Sequence, residues 1–329
     1  MSNLQNSHSC INQSRPTISV IIVTRDRTAA LERCLEAIAA QTVAPQEVIV
    51  VDNSSDQATF DLCQRWTTIT YVNKRGRHSI TIGRQAGLEY ARGDIVAWTD
   101  DDARPVPQWT ERLLHYFQDP SVGVVGGPQI LPASRGAPVV PPDSPVGVLR
   151  NGCIIGNFTL LPDHVLSVEH VMGVNMSFRR EAALAQGGFD QFYLSDVDDT
   201  DITYSFYAAG YRVLYAPDVV VYHDAASRSR AVGRRFGLRY HYRMARSTAY
   251  FFVRHFGPRS PQLAAHIVGQ TTADLGRIVA PLRLHSGELR RKSLIKGSVF
   301  AFFTISGRTV GLVHGLRNRA PKPSASFPP

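Results

Sequence analysis

Three consecutive aspartates, Asp100, Asp101 and Asp102, follow the uncharged run IVAWT at 95–99. Carboxylates crowded against an apolar strand repel one another and lose hydration, so the cluster is costly unless a cation neutralises it. An oxygen donor set of this kind selects Mg²⁺ or Mn²⁺, ions that also bind substrate phosphates. A solvated acidic turn is the bland alternative, and the apolarity of the preceding run speaks against it. Asp52 follows a second run, EVIVV at 47–51, and Thr24 and Asp26 stand at the end of a third, TISVIIVT at 17–24. Alone, Asp52 reads equally well as a turn or cap residue. A second acidic cluster, Asp196, Asp198, Asp199 and Asp201, opens a helical stretch. By itself it reads as carboxylates favoured by the positive end of a helix dipole.

The elements that must position these groups are legible as a pattern. Short β-branched runs without charge are how strands buried on both faces read. They alternate here with helical spacings over 29–41, 61–66 and 80–91, which argues for a largely parallel sheet covered by helices on both faces. In open α/β sheets ligands sit beyond the carboxyl ends of the strands. Three strands thus deliver Thr24/Asp26, Asp52 and Asp100–Asp102 to one edge. No GxGxxG follows the first strand and no GxxxxGK[ST] occurs, which sets aside a dinucleotide fold and a P-loop. The stretch 128–162 is rich in proline and glycine and reads as a long irregular connection of the functional kind. Order resumes over 171–179, a helix from the second acidic cluster through Ala209, and short strands at 211–215 and 219–222, the latter followed by His223-Asp224.

Composition bounds the rest. With 329 residues, 43% of them hydrophobic and 19% charged, the chain is an ordinary globular mixture with material for a large core. The four cysteines are scattered without a CxxC pair, which disfavours a zinc ribbon or a disulfide framework and favours a reducing compartment. Residues 1–16 are polar and read as a disordered leader without the apolar core of a signal peptide. The net charge of +9 hides a division: 17 Lys and Arg against 25 Asp and Glu up to Asp224, then 19 against 2. An acidic body with a basic tail implies two jobs and an anionic partner for the tail.

Together the pieces resemble a known family. TISVIIVTRDR, VIVVDNSS and GRQAGLEYARGDIVAWTDDDARP are similar to the nucleotide-binding half of family 2 glycosyltransferases of GT-A fold. MGVNMSFRREAALAQGGFDQ and DVDDTDITYSFYAAGYRVLYAPDVVVYH resemble their acceptor half. The resemblance implies an α/β fold with a mixed, mostly parallel sheet flanked by helices. It divides a catalytic domain over 17–224 into a nucleotide-sugar half (17–127) and an acceptor half (128–224), followed by a basic helical tail (225–329). It also implies roles. Thr24 and Asp26 would line the nucleotide pocket, Asp52 would accept a hydrogen bond from the base, and Arg84 would approach the base or diphosphate. Asp100 and Asp102 would form the DxD pair, with Asp102 a direct ligand of Mg²⁺ or Mn²⁺, Asp101 supporting, and His223 a further metal or diphosphate contact. A satisfied histidine at a strand end is the plainer reading of His223. Asp199 would be the catalytic base, with Asp198 and Asp201 supporting it, and one in-line displacement would invert the anomeric centre. The sequence departs from the family pattern where Asp198 replaces a Glu, where Gly83 and Gln85 flank Arg84, and where ITYSFYAAG lacks an Arg.

The tail carries its own signal. In RRFGLRYHYRMARSTAYFFVRHF, residues Leu238, Tyr242, Ala245, Ala249, Phe252 and Phe256 form one apolar stripe beside Arg235, Arg239, Arg243 and Arg246. That is the pattern of a basic helix lying in a membrane interface, with Phe251, Phe252 and Phe256 exposed to lipid. A helix packed on the catalytic domain is the alternative. The strongly apolar run nearest the C-terminus, 297–307, is about half of what a spanning helix needs. The expectation is therefore an inverting, metal-dependent glycosyltransferase using a nucleotide-diphosphate sugar and a glycan or lipid-linked acceptor. It would be peripheral on an anionic membrane at the cytoplasmic face, with no nucleic-acid partner. A sugar-nucleotide pyrophosphorylase would need a glycine-rich, lysine-bearing loop that TRDRTAALERC does not supply. A non-catalytic nucleotide-sugar-binding protein would not need the Asp100, Asp102 and Asp199 set.

Overall fold

The computed structural model of the chain describes residues 15–76, 79–132, 140–194, 196–224, 237–284 and 287–318. Apart from Arg15 and Pro16, the expected leader lies outside these residues, as does Arg235 of the tail stripe. The first half runs β1 (Ile18–Thr24), α1 (Thr28–Ala39), β2 (Glu47–Asp52), α2 (Ala58–Cys63), β3 (Ile69–Asn73), α3 (Ile80–Tyr90) and β4 (Ile95–Asp100). Next come β5 (Ala103–Pro105), α4 (Trp109–Tyr116), β6 (Val122–Gly126), β7 (Gln129–Ile130), β8 (Val148–Arg150), β9 (Cys153–Ile155) and β10 (Leu166–Ser167). The series closes with β11 (Asn175–Arg179), α5 (Arg180–Ala185), α6 (Asp198–Ala208), β12 (Arg212–Tyr215) and β13 (Val221–His223). Three helices follow: α7 (Leu238–Phe256), α8 (Pro261–Leu284) and α9 (Gly287–Arg317).

Eight strands form the main sheet in the order β10-β12-β6-β11-β4-β1-β2-β3. The sheet is mixed and mostly parallel: β1 pairs in parallel with β2 and β4, β2 with β3, and β6 with β12, whereas β11 runs antiparallel between β4 and β6. The two-residue period of the strands splits their side chains between two cores. Ile18, Val20 and Ile22 of β1 join Leu31 and Leu35 of α1 and Trp109 and Leu113 of α4 on one face. Ile21 joins Leu88 of α3 and Ile202 and Phe206 of α6 on the other. The uncharged runs are uncharged because both of their faces are covered.

The 128–162 connection is more ordered than its prolines suggest, since β7 and the antiparallel hairpin β8–β9 interrupt it. β7 joins β13 and β5 in a separate three-stranded sheet, order β5-β13-β7. Its strand β5 begins three residues after the end of β4, just past the acidic cluster.

The tail differs from the expectation in two ways. Phe251 and Phe252 are fully buried, and Phe256 is half-buried, in a third core with Tyr193 and Val197 and with Tyr204 of α6. An amphipathic helix declares an apolar face but not what covers it, and here the cover is the body of the chain before Asp224. Burying each Phe contributes about 1.5–3 kcal/mol, which holds α7 in place. The cationic stripe also faces inward in part: Arg243 pairs with Asp196 at 3.3 Å, Arg246 lies 4.4 Å over the Phe192 ring, and Arg254 pairs with Asp190. Secondly, residues 293–317 form a helical stretch of mean hydropathy 1.3 that is long and apolar enough to cross a membrane by length and composition. Counting only the uninterrupted apolar run to Gly307 understated it, because a single Arg308 does not break the helix. Glycine sets how α9 sits on α7. A Cβ at Gly311 would lie 2.1 Å from the Arg246 carbonyl oxygen and one at Gly307 2.3 Å from that of Tyr242.

Candidate active site

Parallel registry aligns the acidic strand ends. Thr24 of β1 stands opposite Asp52 of β2, and Val23 opposite Asp100 of β4. The Thr24 hydroxyl donates to Asp101 at 2.8 Å, and both groups are buried. Burial pushes the Asp101 carboxyl up to about 6, against the pull of Arg27. Arg27, which the sequence reading did not single out, bridges Asp101 at 2.9 Å and Asp102 at 3.2 Å. Asp26 adopts a left-handed backbone (φ 54°) and accepts from the Ser55 amide at 2.7 Å and its hydroxyl at 2.8 Å. Asp52 is fully buried; it accepts from the Ser54 amide at 2.8 Å and the Tyr71 hydroxyl at 2.7 Å. Arg75 approaches the same carboxylate at 3.4 Å.

The small sheet brings His223 to this edge. Antiparallel pairing of β13 with β5 sets His223 opposite Ala103, and its Nε2 lies 3.0 Å from Asp102 Oδ1 and 3.8 Å from Asp100 Oδ2. Ligand atoms of Asp100, Asp102 and His223 all fall within 4.8 Å of one another. His223 Nδ1 donates to the Gln129 side-chain oxygen on β7 at 2.8 Å. That bond occupies Nδ1 and leaves Nε2 as the nitrogen turned to the two carboxylates, the one that would ligate a metal. Two carboxylates and one imidazole nitrogen make a donor set that could hold a divalent cation. Gln129 was missed because it stands in a two-residue strand whose partner lies 94 residues away.

The second acidic cluster divides. Asp199, half-exposed near the start of α6, accepts from the Gly173 amide at 2.8 Å and the Thr200 amide at 2.8 Å. Asp198 is buried and accepts from Arg84 Nη1 at 2.7 Å. Burial disfavours the Arg84 charge, but Asp198, Asp199 and Asp100 outweigh it and hold the guanidinium above its ordinary value. Arg84 thus lies within the field of the base candidate and of the metal cluster alike, while Asp52 has other partners. Asp201 belongs elsewhere. Residues two apart on a helix do not share a face, and Asp201 is gripped by Tyr193 at 2.9 Å and by His255 of α7 at 2.8 Å. Burial alone would raise its carboxyl, yet Arg254 and His255 hold it below the usual range. Val197, just before α6, takes φ 73°, a strained backbone for a β-branched residue and one that costs about 1–3 kcal/mol.

Asp199 opens into a cleft of about 660 Å³. It is lined by Met172, His170 and Phe158 from the body of the chain and, from the tail, by Met244, Thr248 and Phe252 of α7 and His266 of α8. Packing of the tail on the rest of the chain is the alternative reading of the sequence, and α7 and α8 here reach the cleft itself.

Comparison with known proteins bears on the family and the fold. The family model described as glycosyl transferase family 2 matches residues 19–183, half of the chain. The glucosyl-dolichyl phosphate glucuronosyltransferase of Haloferax volcanii is 31% identical over 180 residues, 53% of this chain and 56% of that protein. The pre-mycofactocin glycosyltransferase of Mycobacterium tuberculosis is 28% identical over 218 residues, 64% of this chain and 43% of that protein. The chain thus spans about half the length of the curated relatives it matches. Among solved structures, the mannosyltransferase PcManGT of Pyrobaculum calidifontis, in complex with GDP-Man and Mn²⁺, superposes with a TM-score of 0.55 at 22% identity. That likeness covers 93% of this chain and 87% of that one. At such identity it concerns the fold, which is that of the GT-A glycosyltransferases. The chain belongs to glycosyltransferase family 2.

Proposed function

We propose that the chain transfers a sugar from a nucleotide-diphosphate donor to a hydroxyl acceptor, in one displacement that inverts the anomeric centre. The observation that supports this most is the grouping of Asp100, Asp102 and His223, with the Arg84 guanidinium within the field of both Asp100 and Asp199. The Mn²⁺ bound by PcManGT favours the same ion here, held by Asp100, Asp102 and His223. When bound, such an ion stabilises the charge that develops on the departing nucleoside diphosphate. Thr24, Asp26 and Asp52 form the nucleotide side of the site, and Asp101 with Arg27 braces the strand end beside them.

Asp199 takes the proton from the acceptor hydroxyl. Its oxygens each accept one backbone amide, which fixes the carboxylate while leaving lone pairs for the incoming proton. As the acceptor oxygen bonds to the anomeric carbon, the carbon–oxygen bond to the diphosphate breaks on the opposite face. Asp198 does not share this role in the described geometry; it neutralises Arg84 and anchors the first turn of α6.

The setting is polysaccharide, lipid-linked oligosaccharide or glycolipid assembly at the cytoplasmic face of a membrane, by analogy with the dolichyl-phosphate-linked substrate in the name of one relative. The membrane-facing surface is on α8 and α9 rather than α7. Val268, Leu275, Ile295, Val299 and Phe302 are exposed there, Phe302 at 67%. A lipid surface would bury these groups while the basic tail meets anionic headgroups. A panel of nucleotide sugars, assayed for Mn²⁺-dependent release of nucleoside diphosphate and for transfer to alkyl glycosides, tests the activity. Release from one donor, abolished by chelation, is expected; no release from any donor would overturn the reading.

A further inference from the structure

Two buried histidines in the wall of the cleft do no work in the reaction described above. His170 Nε2 lies 3.2 Å from the Ile155 carbonyl oxygen, and His266 Nδ1 lies 2.8 Å from the Gly152 carbonyl oxygen. A carbonyl only accepts, so each of these nitrogens carries the hydrogen, and the other nitrogen of each neutral ring is a bare lone pair. Among the described residues His170 Nδ1 and His266 Nε2 find no partner. The rings are 1% and 4% exposed and both line the 660 Å³ cleft that contains Asp199. They hold the same β8–β9 hairpin segment at carbonyls three residues apart, a span of at most about 10 Å. Phe158 stands edge-on to His170 at 5.4 Å, and Phe252 stacks on His266 at 4.6 Å, so neither ring is free to turn away.

The charge of the cleft narrows what could satisfy them. Among the described residues its lining includes Asp199 and Asp196, the latter paired with Arg243, and no Lys or Arg. Buried polar atoms are ordinarily paired, and the two covered imidazole nitrogens just behind the cleft surface, with the carboxylates that line it, would pair with a ligand that brings donors. Hydroxyl groups do so without charge, whereas a phosphate or uronate would set a second negative charge beside the Asp199 carboxylate with no Lys or Arg in the described lining to meet it. Met172, Phe158 and Phe252 supply the apolar surface on which the C–H faces of a sugar ring pack. Burial holds His170 and His266 in the neutral form, aided at His266 by the charge of Arg308.

We infer that the cleft beside Asp199 binds a neutral, hydroxyl-rich glycosyl unit as acceptor, and that His170 and His266 position it by accepting hydrogen bonds from its hydroxyl groups. This rests on the glycosyltransferase reading and adds the class of acceptor. It also gives the tail a part in acceptor selection, since His266 is on α8 and Phe252 on α7.

Binding of octyl glycosides of neutral hexoses to the full chain, with their monodeoxy analogues, tests this by calorimetry. His266→Asn keeps a donor near Nδ1 for the Gly152 carbonyl and deletes the Nε2 acceptor; His170→Gln does the converse for the Ile155 carbonyl. Each variant is expected to weaken one octyl glycoside roughly 10-fold, as loss of one hydrogen bond implies. One monodeoxy analogue should weaken wild-type binding by the same factor and cause no further loss in the matching variant. A purely structural role for the histidines would instead leave the two losses additive, which overturns the inference. So would unchanged binding in both variants, or tighter binding of octyl phosphate or octyl glucuronide than of the neutral glycosides. Should a variant not fold, the deoxy series on the wild-type chain decides alone: equal binding of every analogue overturns the inference. Metal-dependent release of nucleoside diphosphate to water, with no neutral glycoside bound, sinks this inference and spares the activity. Absence of both donor binding and release sinks the activity itself.

Discussion

Arg84 Nη1 donates to the Asp198 carboxylate at 2.7 Å, joining α3 to the start of α6 across 114 residues of sequence. The guanidinium packs so closely on Gly173 that a Cβ there would lie 2.1 Å from Nη2. Gly173 is also the residue whose amide holds Asp199. One buried pair therefore fixes both the helix that begins with the acidic cluster and the loop that orients the proposed base.

Removing one partner of such a pair leaves an uncompensated buried charge. Arg84→Met is expected to destabilise the fold by about 3–5 kcal/mol. Asp198→Asn on the Arg84→Met background should recover part of that loss rather than add to it. Urea midpoints of the wild type, both single variants and the double variant measure the coupling, and strict additivity would refute it.

Asp102→Ala removes a proposed direct ligand from a site with few protein ligands, so Mn²⁺-dependent donor binding should disappear. Gln129→Ala acts one step further out, releasing the His223 ring. A 10- to 100-fold loss of Mn²⁺ affinity is expected for such a group. Calorimetric Mn²⁺ titrations rank the two variants; equal affinities for wild type and Gln129→Ala would remove Gln129 from the site.

Asp199→Asn keeps the size of the side chain and loses the proton acceptor. Turnover should fall by roughly 10²–10⁴-fold with donor affinity little changed. Near-normal kcat in this variant would mean that another group takes the proton.

His170 supplies a pH dependence of stability. Burial lowers its value from 6.5 to about 4, with Asp199 opposing. Between those limits the unfolded chain binds a proton that the folded chain refuses, so stability falls as the pH drops. The slope from this group is about 1.4 kcal/mol per pH unit and vanishes below about pH 4, where both states are protonated. Subtracting the unfolding curve of His170→Gln from that of wild type between pH 7 and 4 isolates it. Parallel curves would show that the ring takes up its proton as readily in the folded chain as in the unfolded one.

The doubly buried strands β1, β2 and β4 were legible because burial on both faces leaves an uninterrupted apolar run, and their acidic ends followed from that. β6, a central strand reading VGVVG, was not, since two glycines mimic a turn signal in a five-residue stretch. The Asp100–Asp102–His223 grouping depended on a family resemblance, because only the β5-β13-β7 sheet, built from strands of two and three residues, joins His223 to the others. Asp201 was grouped with Asp199 by proximity in sequence, whereas helical geometry turns the two apart. The phenylalanines of α7 show the remaining gap: periodicity finds an apolar face, and only tertiary structure says whether lipid or protein lies against it.

That opposition on α6 has a practical corollary. Asp199 faces the cleft and Asp201, half a turn away, clasps Arg254 and His255 of α7. The C-terminal helices consequently cannot be exchanged between relatives as a free-standing cassette. A graft that reshapes the acceptor wall must carry Asp190, Phe192 and Asp201 as its docking plate, or the incoming helices will lose their seat and tilt the base-bearing turn with them. Chimaeras cut at Asp224 should express as poorly soluble protein with Tyr193, Tyr204 and Val197 laid bare, whereas chimaeras that transplant the docking plate as well should exchange acceptor preference without disturbing the donor side.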